Sequence, residues 1–267
     1  MIIPEHVMVD GPFLDRTPHL KLVQTGAGFD NVDIPECTLR GVFVANAAGV
    51  NANAVAEHVL AFTFCWYKSM TLLDGTLKRG GYGVDYAGSE IAGKTMGIIG
   101  MGSIGKAVAR KASALDMKVL GHAIDTGKTG GDVQMTDLST LLGFSDVITL
   151  HCRLSDRTRH MIGRREFASM KPSAFLINTS RGPVVDETAL IEALQTNRIA
   201  GAGLDVFERE PLPTDSPLRS MQSVILTPHT AGMPDGLKFH RKRYEFFLEN
   251  IRRVSQGQVP LNALNQI

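Results

Sequence analysis

From Thr95 to His229 the chain repeats a short, almost uninterrupted apolar run, a turn and a helical pattern, and nothing else constrains its fold as tightly. The runs are MGIIG (96–100), MKVLG (117–121), DVITLH (146–151), AFLIN (174–178), GAGLDVF (201–207) and VILTPH (224–229). A strand with one wet face alternates apolar and polar residues. These do not, so both of their faces must be covered. Helical patterns at 104–115, 138–142, 164–170 and 187–196 lie between them and supply the cover. Parallel strands need such long connections, so the pattern predicts an α/β fold with a doubly wound parallel sheet.

The first of these runs ends in IIGMGSIG, residues 98–105, and a helical stretch follows at once. Three glycines at this spacing are a weak signal alone; a strand before them and a helix after them give it meaning. Gly100 permits the tight turn, Gly102 lets a pyrophosphate approach the backbone, and Gly105 lets the helix pack on the strand. The amides near Ser103 and Ile104 then point at the phosphates. The competing reading is a glycine-rich turn of some other α/β protein. An acidic residue about 20 positions further on normally takes the ribose hydroxyls of NAD. Residue 123, eighteen after Gly105, is Ala123, and Asp125 stands two residues later. NAD is the expected cofactor, with Asp125 reaching back to the ribose. His122, Thr126 and Lys128 keep NADP open, and Asp125 reads equally as a solvated loop residue.

Before Thr95 the texture differs. HLKLVQTGAGFDNVD reads as strand, glycine turn and polar loop, and GVFVANAAG as a second short strand. A single long helix is expected from about residue 53 to 78, capped by Asn51 or Asn53 and stopped by Gly80 and Gly81. Another helix is expected from about 236 to 255. The net charge of +1 gives no electrostatic reason to propose nucleic acid or an anionic membrane as partner. The longest apolar stretch, 54–67, contains Glu57 and His58 and is too short to span a bilayer. Cys37, Cys65 and Cys152 are widely spaced without a CxxC pair, which fits free thiols in a reducing, cytoplasmic setting. The first ten residues lack a basic segment leading into an apolar core, so no signal peptide is expected. No residue cluster calls for a metal.

Downstream of the glycine turn come Arg181 in INTSRGPVVDE, Glu210 in GLDVFEREP and His229 in LTPHTAG. Each sits at or just past the C-terminal end of an expected parallel strand, where open α/β sheets bind ligands. A planar guanidinium can grip a carboxylate, and an imidazole can exchange a proton near neutral pH. A carboxylate hydrogen-bonded to the other ring nitrogen would favour the imidazolium. Taken singly, each residue has a plain structural reading; the three in order within these phrases carry the argument.

That order and phrasing resemble the D-isomer-specific 2-hydroxyacid dehydrogenase family, from about Leu20 to about residue 262. The resemblance implies hydride transfer between a nicotinamide cofactor and a small 2-hydroxy or 2-keto acid. His229 would be the acid/base paired with Glu210, and Arg181 would bind and polarise the substrate. It also implies that Thr179, Ser180 and Asp205 line the cofactor side, and that the amides of Ala27 and Gly28 hold the substrate carboxylate. Residues 87–233 would form a Rossmann NAD(P)-binding domain. Residues 1–86 with 234–267 would form a smaller, flavodoxin-like substrate domain, shortened at the N-terminus because only about 20 residues precede HLKLVQ. Relatives commonly dimerise through the cofactor domain and the long helix, so a homodimer is expected. Arg153 stands in HCRL where the family usually has proline. Some relatives are dinucleotide-sensing corepressors that keep the three residues, and a shortened substrate half could bind cofactor with little turnover; both readings stay open here. A formate or phosphite oxidase is disfavoured, because formate enzymes of the superfamily replace the partner of the histidine.

Overall fold

The computed structural model describes residues 1–4, 7–26, 28–82, 88–124, 133–233 and 237–267, the side chains of 237–240 excepted. By packing, the chain divides into a smaller unit, Met1–Ala52 with Met233–Ile267, and a larger one, Asn53–Gly232. Among the described residues no helix is long and apolar enough to cross a membrane.

In the smaller unit Asp10 and Asp33 cap two short helices, α1 (Gly11–Asp15) and α2 (Ile34–Leu39), each with proline in its first turn. Strands β1 (Leu22–Thr25) and β2 (Phe43–Asn46) pair in parallel, Leu22 beside Phe43. Single bridges extend this sheet, Ile2 beside Val23 and Ala263 beside Ala45. Two strands alone are marginal in water, so the surroundings must hold them. Val9, Leu14, Val23, Cys37 and Val44 form a buried core. Buried amides fix the C-terminal helix, Leu237–Ser255, and the tail after it. Asn250 Nδ2 donates to Gln24 Oε1 at 2.7 Å, and Asn265 Oδ1 accepts from the Val44 amide at 2.8 Å. Such bonds add about 1 kcal/mol each when made and cost more when one partner is removed.

The larger unit opens with α3 (Ala52–Tyr67) and α4 (Met70–Lys78). Its sheet comprises β3 (Thr95–Ile99), β4 (Lys118–His122), β5 (Gln134–Met135), β6 (Val147–Leu150), β7 (Phe175–Asn178), β8 (Gly201–Leu204) and β9 (Val224–Leu226). The order is β5-β4-β3-β6-β7-β8-β9, every pair parallel. Helices α5 (Ser103–Ser113), α6 (Leu138–Phe144), α7 (Arg164–Ser169) and α8 (Glu187–Gln195) connect the strands. Every residue of β6, β7 and β8 is buried, as strands covered on both faces require. The fold is therefore the α/β doubly wound Rossmann arrangement, with the chain's direction of progress reversing between β3 and β6.

One feature differs from expectation. The single helix over 53–78 is broken: Ser69 adopts a left-handed conformation, φ 50°, between α3 and α4. The amide of Ser89 donates to the Tyr67 carbonyl at 2.7 Å, so the returning chain takes an acceptor that a continuing helix would use. Asn51 precedes the helix, yet its Oδ1 has no hydrogen-bond partner among the described residues. By packing, the division between the units falls near Ala52. Helix α3 packs on the large sheet: Trp66 stacks on Phe175 at 4.7 Å and 9°, and Phe62 lies over Gly203. That packing ties the helix to the larger unit.

Candidate active site

The glycine turn behaves as its spacing predicts. Gly100 has φ +101°, and a Cβ there would come within 2.6 Å of the His151 backbone. A Cβ on Gly105 would lie 2.1 Å from the Gly100 carbonyl oxygen, so only glycine lets α5 start this close to β3. Gly102 is different: a Cβ there meets no atom within 4 Å. The chain's own packing therefore gives no reason for glycine here, whereas a bound pyrophosphate approaching this backbone would. Gly102 is also the N-cap of α5 and offers no side chain, so the amides of Ser103 and Ile104 are left for a ligand.

Beside the turn, where β3 and β6 diverge, is a cavity of about 500 Å³ lined by Gly100, Gly102, His151, Arg153, Arg157 and Thr158. His151 Nδ1 at the cavity wall and Thr179 Oγ1 past β7 are among the buried atoms that lack a partner among the described residues. Burial pushes the His151 imidazole down to about 3, so it is neutral. The cavity, the bare Gly102 and these orphaned polar atoms fit a dinucleotide. Ala123 lies just past β4, while Asp125 falls outside the described residues, as does Ala27. Gly28 lies in the smaller unit shortly after β1.

The three residues of the expected constellation stand at neighbouring strand ends. Asn178, Leu204 and Leu226 are in register across β7, β8 and β9. Arg181 comes three residues after the first of these, Glu210 six after the second and His229 three after the third. His229 Nδ1 donates to Glu210 Oε2 at 2.7 Å, because an ionised carboxylate can only accept. The Glu210 Oε1 accepts from the Phe207 amide at 3.0 Å, which fixes the carboxylate that orients the His229 ring. His229 itself has φ 55°, with its amide donating to the Asp205 carbonyl at 2.8 Å. A non-glycine residue held left-handed costs about 1 kcal/mol or more, a strain typical of functional positions. Asn178 accepts from Ser180 through Oδ1 and donates to the Arg181 carbonyl at 2.9 Å, so the segment leaving β7 is locked. Gly182, immediately after Arg181, packs on the backbone of Phe207 and Glu208. The arginine's segment and the glutamate's turn are thus in direct contact.

Asp205, 1% exposed, holds this rim together. Its carboxylate accepts from Thr227 Oγ1 at 2.5 Å and from the amides of Thr230 at 2.8 Å and Ala231 at 2.9 Å. Its visible work is to tie the turn that carries His229. His58 reaches this network: its Nε2 lies 3.0 Å from Thr227 Oγ1. Burial pushes the His58 imidazole down against the pull of Asp205. The sequence signal, a polar pair in NAVAEH, did not distinguish this link from a plain helix opening. His151 was missed as well, although it closes the strand run DVITLH. Among the described residues no group of histidine, cysteine, aspartate and glutamate is placed to hold a metal.

This combination, a dinucleotide turn with a paired imidazole and carboxylate at the adjoining strand ends, defines a nicotinamide-dependent oxidoreductase of 2-hydroxy and 2-keto acids. Residues 60–231 match the NAD-binding domain of the D-isomer-specific 2-hydroxyacid dehydrogenase family, and the chain belongs to that family. It is 37% identical to a glyoxylate reductase of Thermofilum pendens, over 97% of this chain and 78% of that protein. Among solved structures, an Aquifex aeolicus D-lactate dehydrogenase complexed with NAD and lactic acid superposes with TM-score 0.87 at 31% identity, over 98% of this chain and 85% of that one. An acyclic imino acid reductase in complex with NADPH and D-Arg superposes with TM-score 0.89 at 32% identity, over 97% of this chain and 83% of that one.

Proposed function

We propose that this protein acts as a reductase of small 2-keto acids, glyoxylate and hydroxypyruvate first among them, with His229 as proton donor. The observation carrying this reading is the 2.7 Å pairing of His229 with Glu210, which orients the ring and leaves Nε2 for the substrate oxygen. The nicotinamide cofactor, when bound, supplies the hydride that C2 receives. Arg181 grips the substrate carboxylate and carbonyl oxygen and stabilises the negative charge that grows there. Gly100, Gly102, Gly105 and the amides of Ser103 and Ile104 take the pyrophosphate; Thr179, Ser180 and Asp205 serve the nicotinamide side, with Asp125 in the ribose loop. The turn at Ala27 and Gly28 takes the substrate carboxylate, and the smaller unit is the substrate domain.

Oxidation of NADH and of NADPH on adding glyoxylate, hydroxypyruvate and phenylpyruvate is the test. Turnover is expected with the two smaller acids. In Arg181→Ala both a higher KM and a lower kcat are expected, together about a hundredfold or more in kcat/KM, because the group binds and polarises. Cofactor binding with no turnover on any acid would overturn the catalytic reading in favour of a binding protein.

The same proposal includes a cytoplasmic homodimer. Helices α3 and α4 leave Phe64, Met70 and Leu77 exposed on one stretch of chain, and Cys37, Cys65 and Cys152 are free thiols. Sedimentation equilibrium should return twice the chain mass; a monomer at micromolar concentration would remove the dimer.

A further inference from the structure

We propose that Arg157 makes this protein select NADPH over NADH, by binding the 2′-phosphate of the adenosine ribose. The inference rests on the reading that the cavity beside the glycine turn takes the dinucleotide. In NAD-selective turns a carboxylate at the end of the second strand accepts from the ribose hydroxyls and repels a phosphate. The strand β4 ends at His122, and the usual acidic position is the methyl group of Ala123. Among the described residues no carboxylate stands at that strand end to repel a phosphate; Asp125 lies outside them.

A cation stands beside it instead. Arg157 is 33 residues further along the chain, yet its Nη2 donates to the Ile124 carbonyl at 3.0 Å. The guanidinium is therefore anchored to the residue next to Ala123, at the wall of the cavity. Its other donors make no hydrogen bond with the described residues, and the side chain is exposed, so a ligand can meet it without first burying a charge. A guanidinium fork matches phosphate oxygens in a way that a hydroxyl pair cannot use as fully.

The loop that presents it is built stiffly. Buried Thr158 donates its hydroxyl to the Arg153 carbonyl at 2.7 Å and accepts from the Ser155 amide at 2.8 Å. This closes the segment 153–158 on itself, so little ordering remains to be done when a ligand arrives. Arg153 lines the same cavity, and Asp156 is the acidic side chain among its described lining. Among the described lining residues, two guanidinium groups against one carboxylate give that side of the cavity a positive balance. That balance suits the roughly two additional negative charges of a 2′-phosphate.

Equilibrium binding, measured by titration calorimetry on the full chain, tests the assignment without turnover. Wild-type protein is expected to bind NADPH at least about tenfold more tightly than NADH, and 2′,5′-ADP more tightly than 5′-ADP. Arg157→Ala should lower the NADPH-to-NADH affinity ratio by about tenfold to a hundredfold, and Arg157→Lys should restore part of it. Ala123→Asp should shift the ratio the same way as Arg157→Ala, by putting a carboxylate where the phosphate would sit. A wild-type ratio at or below one, or a ratio that Arg157→Ala leaves unmoved, overturns the proposal. If neither nucleotide binds the folded protein, the dinucleotide reading of the cavity falls and takes this assignment with it. A protein that binds both nucleotides but reduces no keto acid fails only the catalytic reading, and the ratio still decides this one.

Discussion

Replacing His229 with alanine is expected to lower kcat by about a hundredfold or more, with a much smaller change in cofactor affinity. The reason is positional. Glu210 accepts the Nδ1 proton at 2.7 Å and is itself held by the Phe207 amide, so the ring presents one nitrogen only. Alanine removes that nitrogen and leaves the turn intact, since the backbone of residue 229 is held through its amide. The variant should therefore fold normally. The left-handed φ of 55° persists with alanine at a similar cost, so no large gain in stability hides the loss. Glu210→Gln separates positioning from charge: it keeps a group able to accept at Nδ1 and removes the negative charge. Steady-state kinetics with each variant checks the assignment. If His229→Ala turned over at the wild-type rate, another group would be the proton donor.

The positions of Arg181, Glu210 and His229 just past strand ends were legible because each stands in a short phrase that follows a regular element. β3, β6, β7 and β8 read directly from unbroken apolar runs, since burial on both faces leaves no room for alternation. β5 did not: Gln134 and Met135 are exposed residues on the sheet's edge, and two residues make no pattern. The break at Ser69 was equally invisible, for its cause is a hydrogen bond from Ser89, twenty residues further along the chain. A helix pattern reports on neighbours three and four positions away and cannot register such a contact. Arg157 escaped notice for the same reason. Only the folded chain brings it to the carbonyl of Ile124, where the missing carboxylate at Ala123 acquires a meaning. Local periodicity thus revealed the scaffold, whereas the contact of Arg157 with Ile124 joins loops distant in sequence.

The three glycines of the turn make a second prediction, because their side-chain positions face different things. Gly102→Val should leave the fold nearly intact and raise the Kd of either nucleotide by about two orders of magnitude. A Cβ at Gly102 meets no protein atom within 4 Å, so the substitution starts into the open space that a pyrophosphate would enter. The folded state loses about 1 kcal/mol, the difference between glycine and a β-branched residue at an N-cap. Gly105→Ala should behave in the opposite sense. Its single methyl would lie 2.1 Å from the Gly100 carbonyl oxygen, and neither backbone segment can move without separating α5 from β3. Overpacking of this kind costs about 3 kcal/mol or more, which in a chain of this size lowers Tm by about 6 °C or more. Thermal unfolding without ligand, paired with nucleotide titration, gives both quantities for each variant. Gly102→Val binding nucleotide as wild type does would mean that no phosphate approaches that backbone. The glycine turn would then be a packing feature alone, and the cofactor reading would lose its structural support.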